Sequence, residues 1–242
     1  MMTSIKTVEE LEERLSRPTA ADVSAMADLD GDLLILGAGG KMGPSLAALA
    51  RRAADQAKVR KRIIAVSRFA DDSARRQLSS QNIETIACDL LEPGEFAKVP
   101  DVKNVIFMAA RKFGTTGSAH LTWAMNTYLP GLVAERFHRS RIVAFSTGNV
   151  YPFRRVQEGG AVESDTVNPQ GEYAQSALGR ERMFEYGSCK WGTTVTTLRL
   201  NYAVELRYGV LADIGQAVFD RRPIDLRVGF VNVIWQGAAN SV

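Results

Sequence analysis

The stretch Gly37-Ala-Gly39-Gly40-Lys41-Met42-Gly43 constrains this chain more than any other. It sets four glycines in seven residues directly after an apolar run, residues 33–36, and directly before a helical pattern over 42–55. In a strand–turn–helix unit one glycine permits the tight turn and a second lets an outside group approach the backbone. A third lets the helix pack on the strand. The helix start then offers free N–H groups and a positive dipole end to an anion. The spacing is G-x-x-G-x-x-G through Gly37, Gly40 and Gly43. The commoner G-x-G-x-x-G would need glycine where Met42 stands. A plain glycine-rich loop is the other reading, but the place between strand and helix favours a dinucleotide-binding turn built from residues 37–43.

The rest of the chain repeats that unit. Apolar runs at 33–36, 63–66, 83–87, 105–108, 142–145 and 195–200 read as buried strands, and helical patterns at 42–55, 72–78, 120–138 and 172–186 separate most of them. Continuous apolar strands alternating with helices predict an α/β fold of Rossmann type: a doubly wound parallel sheet with helices on both faces. After Leu200 the pattern loosens to a helix near 210–219 and extended pieces at 224–226 and 230–235. At the other end, Thr7 to Glu10 can form a capping box, Pro18 interrupts the run to Arg17, and Thr19 opens a second helical pattern. The organisation expected is a helical extension over 1–30 on the outside, a nucleotide-binding domain over 31–205, and the start of a small substrate-binding region over 206–242.

Composition narrows the class further. Hydrophobic residues make up 45% and charged residues 24% of the 242, which argues against disorder, and a net charge of +3 with mixed signs gives no support to nucleic-acid binding. Cys88 and Cys189, and His120 and His138, do not stand at metal-ligand spacing. No apolar run approaches the roughly 20 residues of a membrane span. A cytoplasmic protein with a small-molecule partner, and with no nucleic acid, membrane or metal, is expected.

The second strand ends Ala65-Val66-Ser67-Arg68, with no carboxylate before Asp71. An acidic residue there would accept from a ribose 2′-OH, whereas Ser67 followed by Arg68 suits a 2′-phosphate. NADP is therefore favoured over NAD. Lys41 could add a second cation. Arg68 as a solvated loop residue is the alternative. The third strand ends Cys88-Asp89-Leu90, where Asp89 either accepts from an adenine amino group or caps a helix.

In this order the landmarks resemble the extended short-chain dehydrogenase/reductase family, also called the NAD-dependent epimerase/dehydratase family, over residues 32–235. The glycine spacing is of that form. The segment 104–110, ending in Ala109-Ala110, looks like the fourth strand that runs beside the cofactor, with Phe107 where a histidine is usual. Asn126 matches a position in the next helix. Residues 141–151 resemble the fifth-strand motif, which implies Thr147 as the catalytic Ser/Thr, with Ser146 beside it. After Pro169, Tyr173 and Ser176 match the Tyr-x-x-x-Lys helix, which implies Tyr173 as the general acid/base. The lysine position is Ala177. The resemblance also implies that the chain ends before the lid of its relatives, either because the lid is absent or because this is a shortened sequence.

Residues at i and i+4 share a helix face, so the lysine would stand one turn from the tyrosine, holding the nicotinamide ribose and favouring the phenolate. Arg180 lies on nearly that face one turn on, at a doubtful reach. The expected activity is an NAD(P)-dependent oxidoreductase or epimerase acting on a hydroxyl or carbonyl of a sugar, nucleotide sugar or related compound. The other class is an NAD(P)-binding sensor weakened by Ala177. The resemblance further implies a possible homodimer through helices 119–138 and 171–187, where Leu121, Ala124, Met125, Tyr128 and Leu132 form a stripe. A buried intramolecular face would also give that stripe.

Overall fold

The computed structural model describes residues 4–70, 72–112, 117–226 and 229–242. Asp71, which marks the first carboxylate after the second strand, lies outside them.

Short apolar runs of branched residues form a parallel sheet of six strands: β1 (Leu33–Leu36), β2 (Ile63–Ser67), β3 (Glu84–Ala87), β4 (Asn104–Phe107), β5 (Arg141–Thr147) and β6 (Val195–Leu200). Their order is β3-β2-β1-β4-β5-β6. Leu36 sits in register with Val66 on one side and Phe107 on the other, so β1 is central and the order reverses between β1 and β4. That switch point is where doubly wound sheets open a crevice at the carboxyl ends of their strands.

Both faces of the sheet are covered. The helices are α1 (Val8–Leu15), α2 (Ala20–Asp28), α3 (Gly43–Gln56), α4 (Asp72–Ser79), α5 (Pro93–Phe96), α6 (Ala119–Trp123), α7 (Leu129–Arg136), α8 (Gly171–Trp191), α9 (Val210–Phe219) and α10 (Gln236–Asn240). Leu34, Leu36 and Phe107 pack with Leu129, Phe137 and Phe184 on one face. Leu33, Ile35 and Ile63 pack with Ala47, Ala50 and Leu78 on the other. The alternation along β1 is the period-2 pleat of a strand buried on both sides. Each fully buried Phe or Leu contributes roughly 1.5–3 kcal/mol.

Four elements depart from the sequence expectation. β3 and β6 are not buried runs: they are the two edges of the sheet, and Glu84, Ala87, Thr196 and Thr197 are exposed because no further strand flanks them. The helix expected at 120–138 is broken by a π-helical turn, Ala124–Tyr128, between α6 and α7. The extended piece at 224–226 pairs with nothing described, whereas β7 (Tyr202–Val204) and β8 (Val233–Trp235) form a separate parallel pair.

The amino-terminal helices form as their caps dictate. Thr7 accepts from the Glu10 amide, and Thr19 and Asp22 make a reciprocal capping box. Leu11 and Leu15 are buried, and Asn240 of α10 donates to both the Leu15 carbonyl and the Ser45 hydroxyl. The extension thus joins α3 to the carboxyl-terminal helix. The apolar stripe on the α6–α7 face divides: Met125 and Leu132 pack on the core, while Leu121 and Tyr128 are exposed. Among the described residues no helix is long and apolar enough to cross a membrane.

Candidate functional site

The glycine turn lies at the switch point, and each glycine answers to a different neighbour. Gly37 has φ +92°, and a Cβ there would stand 2.5 Å from the Ala109 amide nitrogen. β1 and the end of β4 can approach only because side-chain bulk is absent from Gly37, and small Ala109 follows the same logic. A Cβ on Gly43 would meet the Ala38 carbonyl oxygen at 2.2 Å, so α3 begins in contact with the turn. At Gly39 it would meet the Ser67 hydroxyl at 2.5 Å. Gly40 differs. It is exposed, its φ is ordinary, and a Cβ would touch only the Gly37 carbonyl, at 3.4 Å. Among the described residues nothing else crowds that position, so the space before it is open to a group from outside. Met42 precedes α3 without a side-chain cap, which leaves first-turn N–H groups to an anion. These features fit the diphosphate of a dinucleotide.

On the β2–β3 side, Ser67 stands against Gly39, followed by Arg68. The Arg68 guanidinium is exposed and 4.0 Å from Asp89, an ion pair of small worth that leaves it able to turn to another anion. Asp89 also accepts from the Leu91 amide at 3.0 Å, as a residue closing a turn does, while Leu90 is buried in the core. Lys41 does not join this group. Its ammonium lies 4.4 Å from the centre of the Tyr208 ring, and the Tyr208 hydroxyl donates to the Lys41 carbonyl at 3.1 Å. The second cation expected beside Arg68 therefore turns to Tyr208 instead.

The other half is built by β4, β5 and α8. β5 delivers Ser146 and Thr147 at its carboxyl end. Thr147 accepts from the Asn149 amide at 3.2 Å, and among the described residues its hydroxyl proton has no acceptor. Ser146 is committed elsewhere. It donates to the Glu181 carboxylate at 2.5 Å, and Arg199 donates to the same carboxylate at 2.8 Å and to the Tyr151 hydroxyl at 2.6 Å. The hydrogen bond to Glu181 holds the Arg199 guanidinium above its usual range. Glu181 lies two turns beyond Tyr173 on one face of α8, and burial of a carboxylate requires such partners.

α8 follows Pro169 and begins at Gly171. Tyr173 is partly exposed, and its carbonyl accepts from Ser176 at 2.9 Å. Ala177 is 1% exposed, so its turn of the helix brings no cation to the site. Arg180, 3% exposed, makes no hydrogen bond to the Tyr173 phenol, although its charge interacts with that group from within the core. It donates to the Phe145 carbonyl at 2.6 Å and to Asn126 Oδ1 at 3.1 Å, and it stacks 5.5 Å over Phe107. Burial lowers its pKa to about 10. Phe107, which stands where the resembled family has histidine, is thus the floor of a buried guanidinium.

The π-helical turn presents Asn126 inward, a frequent use of such turns near sites. Asn126 accepts from the Arg111 amide at 2.8 Å, and its own amide donates to the Arg111 carbonyl at 3.0 Å and to Ser176 at 3.0 Å. It fixes the segment after β4 to α8. That segment carries Ala110, which is exposed, and then Lys112. The Lys112 ammonium is 5.7 Å from the centre of the Tyr173 ring and 4.9 Å from that of Tyr202. Neither Lys112 nor the Glu181–Arg199 pair was read from the sequence as part of the site. Glu181 could have been, because charged residues at helical spacing behind Tyr173 on a face toward the sheet need buried partners.

A hollow of about 500 Å³ opens before Tyr173, lined by Asn149, Gln170 and Ala174 among others. These three also border a larger cavity of about 1150 Å³ against β6, with Tyr151, Arg199 and Asn201. Space that could take a small molecule thus opens beside the crevice.

No protein-family model matches the chain, and no curated protein matches it. Solved structures do. UDP-glucuronic acid 4-epimerase from Bacillus cereus, solved with NAD, superposes with a TM-score of 0.64 at 14% identity over 79% of this chain and 64% of that one. L-threonine dehydrogenase from Clostridium difficile gives 0.69 at 16% identity over 87% and 68%. A short-chain dehydrogenase/reductase superfamily protein from Agrobacterium tumefaciens, with bound NAD, gives 0.58 at 17% identity over 72% and 50%. This chain spans less than two thirds of the epimerase. At such identities the likeness establishes the fold alone: the chain has a Rossmann-like doubly wound α/β architecture. The family resemblance carried by its motifs agrees with that architecture.

Proposed function

We propose that the protein is an NAD(P)-dependent oxidoreductase or epimerase-like enzyme acting on a hydroxyl or carbonyl of a sugar, nucleotide sugar or related small molecule. The observation that carries this reading is the glycine turn 37–43 at the switch point of a doubly wound sheet, where Gly40 lies open and, among the described residues, a Cβ would meet only the Gly37 carbonyl. The NAD-bound epimerase of the same fold supports the cofactor and substrate class.

When bound, the nicotinamide supplies hydride transfer. The residues of this chain do the rest. Gly37, Gly39, Gly40 and Gly43, with Lys41 and Met42, shape the backbone that holds the diphosphate. Ser67 and Arg68 bind the adenosine ribose and favour a 2′-phosphate, while Asp89 borders the adenine and Leu90, expected beside it, is packed in the core behind it. Ala109 and Ala110 leave room beside β4, and Asn126 holds that segment in place. Tyr173 exchanges the proton on the substrate oxygen, and the free hydroxyl proton of Thr147 steadies that oxygen as charge develops. Ser146, tied to Glu181, supports β5 instead of touching substrate.

A second reading is favoured by Ala177 and the internal commitment of Arg180: a protein that holds NAD(P) without turning it over. One experiment separates the two. A panel of sugars, sugar acids and aldehydes is assayed with NADH and NADPH on wild type and Tyr173→Phe. The enzyme reading expects turnover lost in the variant with cofactor binding kept. Cofactor binding with no turnover of any compound selects the sensor.

A further inference from the structure

We propose that the amino-terminal extension is a positioning element of the glycine turn, so that seating of α1 and binding of a nucleotide at residues 37–43 each strengthen the other. This rests on the cofactor reading above. α1 and α2 are helices of eight and nine residues. Helices shorter than about 12–15 residues are marginal by themselves in water. α1 therefore keeps its shape by docking, and its docking contacts lead to the glycine turn along two routes.

The first route runs through α10. The Leu15 carbonyl lies in the last turn of α1, where a helix leaves carbonyls without an in-helix donor. The Asn240 side-chain amide donates to it at 3.0 Å and to the Ser45 hydroxyl at 2.9 Å. The Gln236 amide donates to the same hydroxyl at 2.9 Å, and Ser45 itself donates to the Met42 carbonyl at 3.0 Å. A hydroxyl has one proton and two lone pairs, so Ser45 is saturated. Ser45, Gln236 and Asn240 are all buried. Ser45 thus ties the end of the glycine turn to α10, and Asn240 ties α10 to α1.

The second route runs through the residues after β7. Glu12 of α1 accepts from Arg207 at 2.5 Å, and Arg207 also donates to the buried Glu205 carboxylate at 3.1 Å. These bonds hold the residue that precedes Tyr208. The Tyr208 hydroxyl has one proton and two acceptors in reach, the Gln236 amide oxygen and, at 3.1 Å, the Lys41 carbonyl. Both routes therefore end on backbone carbonyls of the turn, at Lys41 and Met42, and they meet at Gln236. Undocking α1 takes one acceptor from the Asn240 amide and one from Arg207, and a buried donor left unmet costs free energy. A diphosphate gripped by residues 37–43 orders the same peptide groups. Two events that order one segment are linked, and the linkage is reciprocal.

The test reads both directions on the full chain, using whichever of NADPH and NADH binds wild type more tightly. Hydrogen exchange followed by mass spectrometry reports the amides of residues 8–15 with and without saturating nucleotide, with residues 185–191 of α8 as the reference. Calorimetry gives the dissociation constant for wild type, Glu12→Ala, Glu12→Gln and Asn240→Ala, each well below its melting transition. The nucleotide should slow exchange in α1 about fivefold more than in the reference, at the lower end of coupling between sites. Its affinity should fall about threefold in Glu12→Ala, as for a partly exposed ion pair, and about fivefold in Asn240→Ala. Glu12→Gln keeps an oxygen for Arg207 and should restore most of the affinity. Variants that melt earlier but bind the nucleotide as wild type does mean a purely structural extension, which overturns the proposal. So does equal slowing of α1 and the reference. If wild type binds neither nucleotide, the cofactor reading itself fails. If it binds one and α1 is indifferent, that reading stands and only the coupling falls.

Discussion

The Ser146 hydroxyl donates to the Glu181 carboxylate at 2.5 Å, and that bond divides the labour of two adjacent residues on β5. Ser146 and Thr147 are chemically alike and neighbours in sequence. Their environments separate them, because one is engaged inside α8 and the other keeps a proton to give. Ser146→Ala is expected to leave cofactor binding unchanged and to lower stability by about 1.5–3 kcal/mol, the usual worth of a hydrogen bond to a charged group. Urea denaturation measures that loss. Thr147→Val should show the opposite profile in the turnover assay, with activity falling about 10²-fold or more at nearly unchanged stability. Interchanged profiles would reverse the assignment.

Gly40 and Gly37 make a second contrast. Gly40→Ala meets no obstacle within the protein, so stability should stay within about 0.5 kcal/mol while NADH affinity falls by an order of magnitude. Gly37→Ala drives a Cβ against the Ala109 backbone at a φ of +92°, and its thermal midpoint should drop well below that of Gly40→Ala. Thermal melts with and without NADH read both effects. A Gly40→Ala protein that binds NADH as wild type does would remove the reason for glycine at that position.

Arg68 decides between the two cofactors. Its guanidinium is exposed and loosely paired with Asp89, so a 2′-phosphate can recruit it at little cost. Arg68→Ala should weaken NADPH about tenfold or more and leave NADH nearly untouched. An equal effect on both would make Arg68 a solvated loop residue.

Tyr208 links stability to alkaline pH. Burial above all pushes its phenol up to about 12 from an ordinary 10, and its hydroxyl bonds to Gln236 beside the glycine turn. The unfolded chain loses this proton near 10 and the folded chain only near 12. The stability Tyr208 contributes is therefore complete below pH 10 and is lost as pH rises from 10 to 12. Arg180, with its pKa lowered to about 10, works in the opposite direction above pH 10. The difference between wild type and Tyr208→Phe cancels it, because both proteins contain Arg180. That difference should shrink across pH 10–12, and a constant difference would contradict the burial of the phenol.

The fold was legible because its signals are local. Six apolar runs, caps at Thr7 and Thr19, and a glycine turn at a fixed offset from β1 are properties of neighbouring residues, and the parallel order follows from their alternation. What escaped was set by contacts across the sheet. Glu84, Thr85, Thr196, Thr197 and Arg199 make β3 and β6 more polar than β2, but only the strand order shows that this marks the sheet edges. The π-helical turn that presents Asn126 depends on its bonds to Arg111 and Ser176 and has no signature of its own. Within the site, the glycines, Thr147 and Tyr173 could be named from motif order, and the sheet brings their elements to its carboxyl edge. Lys41 faces Tyr208 instead of Arg68, and Ser146 turns to Glu181, because each found a partner 35 or more residues away. Lys112 belongs to no spacing pattern and is visible only in space.

The central claim is that residues 37–43 hold the diphosphate of a pyridine nucleotide. Calorimetric titration of the purified protein with NADPH and NADH tests it most directly. The account predicts saturable binding at one site per chain for at least one of the two, tighter for NADPH, and weakened by Gly40→Ala. Absence of measurable heat and of any thermal stabilisation by either nucleotide would contradict it.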